Sequence, residues 1–404
     1  MRWRVTAWVI AAVYSLALPP MHGWPSAWPW TAATRASDQA AARSFALITG
    51  ASSGIGRAIA VEAAQRGFDL VVVARQGGAL RALCAELASV RCVPIVLDLA
   101  HERGVEKLRK ATRSLPPPTL VVANAGVPWA GPLVEQPVDQ LDRLLALNVN
   151  AVARMARLYG ADLAAAGRGA LLFTASLTAL APLPGAALYA ASRAFVHSLA
   201  ESVRLELAPR GVTVTALLPG ATDTGFASAG HIEDALIFNF PLARLSGLVS
   251  QPADVARMAL DGVAAHAHVV TPGLLNCAYG WASRLMPRAL AARFSKAVFC
   301  ESLPSGSLGA LLHALPVLAP GALFVLLGLW LELSVSPLAL IVGRRAAEGL
   351  LLLDLGLEFL SLVALAIAYK RSLRLARHRA AVEVGIPNGI PVVAGRSSVG
   401  LGRL

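Results

Sequence analysis

Thr49-Gly-Ala-Ser-Ser-Gly-Ile-Gly56 is the stretch of sequence that decides the fold. It stands between a short apolar run, residues 44–49, and a segment with helical periodicity over residues 55–66. Its glycines, at positions 50, 54 and 56, permit a tight turn and a close approach of the backbone to a ligand. The helix that follows points its N-terminal N–H groups and the positive end of its dipole at a pyrophosphate. Because the glycines lie between a strand and a helix, they indicate a dinucleotide-binding site.

Apolar runs alternate with helical segments through the rest of residues 44–299. The strand-like runs are residues 69–73, 93–97, 119–123, 170–174 and 212–217. Short, continuously apolar strands with helical crossovers are typical of a parallel sheet that is covered on both faces. The sequence therefore predicts an α/β fold, a Rossmann-like doubly wound parallel sheet with helices on both faces.

Composition excludes several classes of protein. Hydrophobic residues make up 56% of the 404 residues and charged residues only 15%, which excludes a disordered chain, a coiled coil and a collagen-like fibre. The mean hydropathy of +0.60 indicates segments that lie in lipid. The net charge of +12 fits a basic face toward anionic lipid or a cofactor phosphate, and no nucleic-acid-binding motif is present. Four cysteines without metal-ligand spacing predict buried thiols and no metal site: Cys84, Cys92, Cys277 and Cys300.

Both ends of the chain differ from this central domain. In residues 1–43, Arg2 and Arg4 precede an apolar run over residues 5–18, which predicts a signal peptide or signal anchor. The alternatives are a plastid or mitochondrial targeting segment and a misassigned start.

Residues 300–379 contain two long apolar runs, residues 315–342 and 350–369, and then a basic end at residues 370–379. They predict a membrane-associated helical hairpin, or else a helical cap that lies on the membrane. Asp354 and Glu358 share one helix face within the second run. Residues 380–404 predict a loose tail. We expect a membrane-associated protein at the endoplasmic reticulum or the plastid, with the side of the domain left open.

The second strand ends in Ala74-Arg75, and this pair favours NADP(H) over NAD(H) as the cofactor. Sites that prefer NAD usually carry an acidic residue here, whereas the planar guanidinium of arginine pairs with a 2′-phosphate. The alternative is a solvated arginine in an arginine-rich protein. Ser52 and Ser53 are further candidates to bind the phosphate. Asp98, at the end of the third strand, either accepts a hydrogen bond from the adenine amine or caps a helix.

Residues that can transfer a proton follow in a fixed order. Ser176 lies just past the fifth strand, and Tyr189 begins a long helix 13 residues later. Arg193 comes four residues after Tyr189, so both side chains share one face of that helix. A tyrosine acts as acid or base toward a carbonyl when a nearby cation stabilises its ionised form, and a serine hydroxyl can hold the carbonyl oxygen.

With these motifs the sequence resembles the short-chain dehydrogenase/reductase family, of the group with TGxxxGxG and YxxxK motifs. The resemblance covers residues 44–299 and implies an NADP(H)-dependent enzyme acting on CH–OH groups. The resemblance implies that Tyr189 is the acid/base and that Ser176 polarises the substrate oxygen. It also implies that Asn148 helps to hold a water molecule in a proton relay. The implied cofactor-binding residues are Gly50, Ser52, Ser53, Gly54, Ile55, Gly56, Arg75, Asp98, Leu99, Asn124, Ala125, Gly126, Tyr189, Arg193, Pro219, Gly220, Thr222 and Thr224.

The sequence departs from the family at Arg193, where the family motif has lysine. Arginine keeps the positive charge and can hydrogen-bond a ribose diol, but it cannot release a proton near neutral pH. The chain has 32 arginines and four lysines, so a tolerated exchange is one interpretation. The alternative is a protein that binds NADPH as a sensor or scaffold and has lost catalysis. A third hypothesis makes the hairpin the working part and the Rossmann-like domain vestigial.

The predicted substrate is lipophilic. Apolar side chains follow the Pro219-Gly220 segment, and by resemblance this stretch covers the substrate: Phe226, Ile237, Phe238, Phe240 and Leu242. Apolar and basic residues alternate over residues 279–296, which predicts an amphipathic segment at a membrane interface or a plain C-terminal helix. Steroid, retinoid, sphingoid-base and long-chain 3-oxoacyl substrates remain open, with membrane lipid as a further partner. The resemblance also implies a homodimer or homotetramer, and nothing indicates a nucleic-acid partner.

Overall fold

The computed structural model describes residues 44–226 and 249–300, together with residues 230 and 323. Seven strands form one parallel sheet in the order β3-β2-β1-β4-β5-β6-β7. The strands are β1 Phe45–Thr49, β2 Asp69–Ala74, β3 Cys92–Val96, β4 Pro118–Ala123, β5 Gly169–Thr174, β6 Val212–Leu217 and β7 Val269–Val270. The strand order reverses at the β1/β4 boundary, so the predicted doubly wound parallel sheet is confirmed.

Helices cover both faces of the sheet. They are α1 Gly54–Gln65, α2 Gly77–Glu86, α3 Gly104–Ala111, α4 Val138–Leu145, α5 Val152–Ala166, α6 Ala187–Leu207, α7 Pro252–Ala264, α8 Leu274–Leu285 and α9 Arg288–Phe299. A π-helical turn, Ala146–Ala151, joins α4 to α5. Short 3₁₀ turns occupy Leu133–Glu135, Leu177–Ala179 and Ala208–Arg210.

The core has two main layers, one on each face of the sheet. On one face, Leu47 and Val121 pack with α5 and α6, for example with Met155. On the other face, Ile48 packs with α1 and α7, for example with Ile59. Every residue of β1 is buried because its side chains point alternately into both layers, and the strand is accordingly apolar except for Thr49 at its end.

Helices α8 and α9 form a smaller hydrophobic cluster beside the 3₁₀ turn that follows β5. Tyr279, Met286 and Phe294 are buried against the 3₁₀ turn that contains Leu177, and the Tyr279 hydroxyl lies 2.8 Å from Ser295 Oγ. These three apolar side chains of residues 279–296 therefore pack on the domain itself, as the plain-helix alternative expects, whereas Trp281 and Leu285 are half-buried. The segment forms two helices, α8 and α9, and its place at a membrane interface stays a prediction.

The prediction of four buried thiols is wrong for two cysteines. Cys84 on α2 and Cys92 on β3 form a disulfide, with their Cα atoms 5.3 Å apart. Helix and strand run side by side here, which brings together two residues that no sequence motif connects. Cys277 and Cys300 are half-buried and lie outside this pair.

Other predictions concern parts of the chain outside the described residues. These parts are the N-terminal segment 1–43, the hairpin and tail within residues 301–404 apart from residue 323, and the substrate cover at residues 237–242. All described residues belong to one compact unit. Among the described helices, none has the length and apolar character needed to span a membrane.

Candidate active site

A cleft of about 410 Å³ opens at the carboxyl ends of the central strands, beside the point where the strand order reverses. Ligands of open α/β sheets bind at this position. Every cofactor-binding residue that the sequence predicts lines the cleft: Gly50, Ser52, Ser53, Gly54, Ile55, Gly56, Arg75, Asp98, Leu99, Asn124, Ala125, Gly126, Tyr189, Arg193, Pro219, Gly220, Thr222 and Thr224.

The glycine loop needs its glycines for conformation and for space. Gly50 and Gly54 have φ of +68° and +54°, a region that side chains rarely adopt. A β-carbon on Gly56 would lie 2.3 Å from the carbonyl oxygen of Gly50, so the chain folds back on itself too closely for alanine. The loop thus brings bare backbone and the start of α1 to one wall of the cleft, as a pyrophosphate site requires.

Thr49 fixes the junction of β1 and β4 beneath that loop. Its hydroxyl donates to the Val122 carbonyl at 3.0 Å and accepts from the backbone N–H groups of Asn124 and Ala125. The Asn124 side-chain amide donates back to the Thr49 carbonyl at 3.0 Å. These bonds hold the ends of two strands in register where they separate to form the cleft. Sequence analysis used Thr49 only as the first letter of a motif and missed this role.

Asp98 lines the cleft, as Arg75 does, and its carboxylate is already hydrogen-bonded within the protein. Its carboxylate accepts from the Ala100 N–H at 3.0 Å and from Arg143 Nη2 at 2.8 Å. Burial alone raises the pKa of the Asp98 carboxyl, but the hydrogen bonds from Arg143 and Ala100 and the charges of Arg143 and Arg75 outweigh it, so the pKa is lowered. The alternative that Asp98 caps a helix is wrong, because the next helix, α3, begins at Gly104 with Arg103 at its N-cap. The bond to Ala100 closes a turn instead, and Arg143 was not predicted.

Ser176 and Tyr189 line the cleft from two elements. Ser176 Oγ accepts a hydrogen bond from the Thr178 N–H at 3.1 Å, which leaves the hydroxyl hydrogen available to a ligand oxygen. Tyr189 stands in the first turn of α6, and its ring lies 5.7 Å from that of Phe226.

Arg193 is 3% exposed and lies behind Tyr189. Its Nη1 donates to the Thr174 carbonyl at 3.1 Å, and its guanidinium carbon is 5.0 Å from the centre of the Tyr189 ring. Among the described residues no carboxylate forms an ion pair with it. A β-carbon on Gly126 would lie 2.1 Å from Arg193 Nη2, so the absence of a side chain at Gly126 is what gives this guanidinium its room.

Asn148 lies one layer behind the cleft and does not line it. It is fully buried in the π-helical turn. Its side chain accepts from the Val127 N–H and donates to the Val127 carbonyl, both at 2.9 Å, and it donates to Ser192 Oγ at 3.3 Å. In this arrangement its contacts fix the backbone that follows Gly126. The water-holding role stays a prediction.

The Pro219-Gly220 segment follows β6 and is supported from α8. A β-carbon on Gly220 would lie 2.6 Å from Asn276 Oδ1, and the buried Asn276 amide donates to the Pro272 carbonyl at 2.7 Å. Thr222 Oγ1 donates to the Gly220 carbonyl at 3.1 Å, which shapes the turn. Asn276 was not predicted, because only the folded chain brings its side chain next to Gly220.

Apolar side chains also line the cleft: Val127, Pro128, Leu177, Phe226 and Phe299. The Phe226 ring lies beside Tyr189, with 5.7 Å between the ring centres. Phe299 closes one side from the end of α9 and packs edge-on against Tyr279, 5.7 Å between ring centres. This contact joins α9 to α8, and Leu177 joins both helices to the rest of the domain.

Comparison with known proteins places this geometry in context. A family model described as short chain dehydrogenase matches residues 44–233. The probable oxidoreductase EphD of Mycobacterium tuberculosis is 32% identical over 199 residues, which are 47% of this chain and 34% of that protein. The chain therefore spans about a third of the length of this curated relative.

Two solved structures match a larger share of their own chains. A short-chain dehydrogenase from Sphingobium yanoikuyae in complex with NADPH is 32% identical, with a TM-score of 0.52, and the match covers 56% of this chain and 87% of that one. A bulky-bulky ketone specific alcohol dehydrogenase from Comamonas testosteroni is 31% identical, with a TM-score of 0.50, over 57% and 86% of the two chains.

Proposed function

Because the chain belongs to the short-chain dehydrogenase/reductase family, we propose that it is an NADP(H)-dependent oxidoreductase acting on a lipophilic ketone or secondary alcohol at a membrane surface. The observation that carries the proposal is that Ser176, Tyr189 and Arg193 line the same cleft as the glycine loop, with the Arg193 guanidinium 5.0 Å from the centre of the Tyr189 ring. Cofactor, proton donor and substrate oxygen can then meet in one place.

The residues of the cleft fit a dinucleotide phosphate. The glycine loop offers backbone where a β-carbon would fill the space, and α1 begins there. Arg75 stands exposed where β2 ends, in place to pair with a 2′-phosphate, and the Sphingobium relative was solved with NADPH. When bound, the cofactor supplies or accepts the hydride.

The protein's own residues would handle the proton. In the reducing direction, the Tyr189 hydroxyl donates its proton to the substrate oxygen, and in the oxidising direction the Tyr189 oxygen accepts it. Ser176 holds that oxygen with the hydroxyl hydrogen that its bond from Thr178 leaves available. Arg193, buried and without a carboxylate among the described residues, stabilises negative charge on the Tyr189 oxygen.

The apolar side chains that line the cleft support a lipophilic substrate. Phe226 and Phe299 are among them, and the Comamonas relative is named for bulky ketones. The apolar runs at residues 315–342 and 350–369 support a membrane location, where such a substrate dissolves. Steroid, retinoid, sphingoid-base and long-chain 3-oxoacyl compounds all fit this description.

The second candidate function is NADPH binding without turnover, as a sensor or scaffold. Arg193 is the observation that favours it, since its Nη1 is held by the Thr174 carbonyl and it cannot take part in a lysine-type proton relay.

The test is NADPH oxidation by the full chain in detergent, compared with its Arg193→Lys variant, on a panel of lipophilic ketones. Binding is checked first by NADPH fluorescence. We expect both proteins to bind NADPH and the natural protein to turn over at least one ketone. Binding by both with turnover only by the lysine variant would replace the enzyme proposal by the sensor. Absence of NADPH binding would contradict both.

A further inference from the structure

Helix α2, which starts beside the cofactor site, has a sequence that stabilises a helix only weakly. It begins with Gly77-Gly78, and glycine is a poor helix former. Only two of its ten residues, Leu80 and Leu83, are buried. Arg75 and Gln76 form the short link between β2 and α2, so the position of α2 helps to set where those two residues lie.

The two ends of α2 contact the glycine loop and the start of α1. Before the helix, Gln76 Oε1 accepts a hydrogen bond from Ser52 Oγ at 2.9 Å. At the end of the helix, Glu86 pairs with Arg57, the residue that follows Gly56. A displacement of α2 would therefore weaken one contact of the loop, at Ser52, and one contact of α1, at Arg57, and it would shift the short link that holds Arg75.

The Cys84–Cys92 disulfide ties this helix to the sheet. Cys84 lies two residues before Glu86, and Cys92 is the first residue of β3. Both cysteines are half-buried, so a small dithiol can reach the bond. We propose that this disulfide is a reversible redox site that holds α2 against β3 and so controls affinity for the 2′-phosphate of NADP(H). The inference rests on the proposed function only in taking NADP(H) as the ligand.

The redox step is a thiol–disulfide exchange with a dithiol. One thiolate of the reductant attacks a sulfur of the Cys84–Cys92 bond and releases the other cysteine as a thiol. The second thiol of the reductant then breaks the mixed disulfide. Two electrons and two protons pass to the protein, which gains two thiols, and the reductant becomes a disulfide.

Reduction leaves α2 with the packing of Leu80 and Leu83 and the two polar contacts. If a tenth to a third of the reduced molecules keep α2 in place, NADPH affinity falls by about threefold to tenfold. NADH lacks the 2′-phosphate, so its affinity should fall less than that of NADPH.

The experiment uses the full chain, with and without dithiothreitol. Mass spectrometry of unreduced peptides locates the disulfide, fluorescence titration gives the Kd of NADPH and NADH, and hydrogen exchange follows the amides of residues 77–86. On reduction we expect weaker NADPH binding and faster exchange in α2. The Cys84→Ser/Cys92→Ser variant should match the reduced protein and ignore dithiothreitol, whereas Cys277→Ser/Cys300→Ser should respond like the natural chain.

If the amide hydrogens of α2 exchange at the same rate in both redox states, the inference is overturned, whether or not the protein binds the cofactor. An NADPH Kd that reduction leaves unchanged would also overturn it, as would the absence of a Cys84–Cys92 linkage in the air-oxidised protein. Failure to oxidise NADPH with any ketone would count against the proposed reaction alone, because none of these readouts depends on turnover.

Discussion

Arg193 brings a permanent positive charge into a site where it is 3% exposed. A buried charge is costly unless something compensates it, and here the described partners are a carbonyl oxygen and the face of a tyrosine ring. The remaining compensation would come from negative charge on the Tyr189 oxygen or from a ribose of the cofactor. The guanidinium thus fits a site that needs a fixed cation beside its acid/base.

Gly126→Ala should inactivate the natural protein, because the added methyl group would meet Arg193 Nη2 at 2.1 Å. Displacement of a catalytic group by about 1 Å can cost about a hundredfold in rate, and we expect a kcat/KM loss of that order. In an Arg193→Lys background the same change should cost less than about tenfold, since lysine lacks the colliding nitrogen. Steady-state kinetics of the four proteins check this. Equal losses in both backgrounds would show that the two residues are not coupled.

Arg75→Ala should convert a preference for NADPH into near indifference. A hydrogen bond to a charged group is worth about 1.5–3 kcal/mol, which corresponds to a loss of about 10- to 100-fold in NADPH affinity. NADH affinity should stay within about threefold, because the 2′-hydroxyl offers no charge. Fluorescence titration measures both. Arg168→Ala, an exposed arginine between α5 and β5, is the control for net charge, and an equal effect there would refute a specific contact.

At the scale of single residues, a site residue can be predicted when the sequence on either side of it forms a recognisable pattern. Gly50, Gly54 and Gly56 were found because a strand and a helix flank them. Arg143 and Asn276 were not, because each meets its partner, Asp98 or Gly220, only across the fold. Asn148 was found through the family motif, but its place behind the cleft depends on a π-helical turn that no sequence pattern indicates.

At the scale of elements, α6 carries a titratable group that couples folding to pH. His197 is buried on this helix. Burial lowers the pKa of the His197 imidazole below its ordinary 6.5; the charge of Glu201 raises it, and the charge of Arg284 lowers it further. As the pH falls, the His197 imidazole is therefore protonated in the unfolded chain before it is protonated in the folded protein. Stability from this group is complete above pH 6.5 and decreases as the pH falls.

We therefore expect the free energy of unfolding to fall between pH 7.5 and pH 5.5, by at most about 1.4 kcal/mol per pH unit for each such proton. His197→Gln should make this dependence shallower. Burial also lowers the pKa of His268, so that residue maintains part of the slope in both proteins. Urea unfolding at the two pH values measures the difference. A variant with the full slope of the natural chain would exclude His197 as its source.

The elements themselves were largely predictable, and the exceptions have physical causes. Strands that are largely buried are mainly apolar, so β1, β2, β4, β5 and β6 stand out in the sequence. Strand β3 lies at the edge of the sheet with no buried residue, and it was predicted because its run is apolar as well. Strand β7 has only two residues, too few to form a pattern. An apolar helix face has the same spacing whether protein or lipid covers it, and so the sequence did not distinguish a membrane interface from the packing of α8 and α9 on Leu177. The disulfide depends on α2 lying beside β3, which spacing does not reveal.

At the scale of the whole molecule, the domain accounts for the cofactor cleft but not for the hydropathy of the chain. The family model ends at residue 233, and the two long apolar runs come after residue 314. In a doubly wound domain, apolar residues are concentrated in short strands and helix faces. Runs over residues 315–342 and 350–369 exceed what a core helix requires and match the length of a bilayer span.

A hairpin of two spans makes a topological prediction. Its turn, near residues 343–348, and its tail, residues 380–404, should lie on opposite sides of the membrane, because one span separates them. N-glycosylation acceptor sequences placed at either position in the full chain, expressed into microsomes, report the side directly. Exactly one of the two sites should be modified. Deletion of residues 350–369 is the control, since it removes the separating span and should bring both sites to the same side. If both sites already report one side in the undeleted chain, the two apolar runs do not form a hairpin, and the membrane-lying cap becomes the better description.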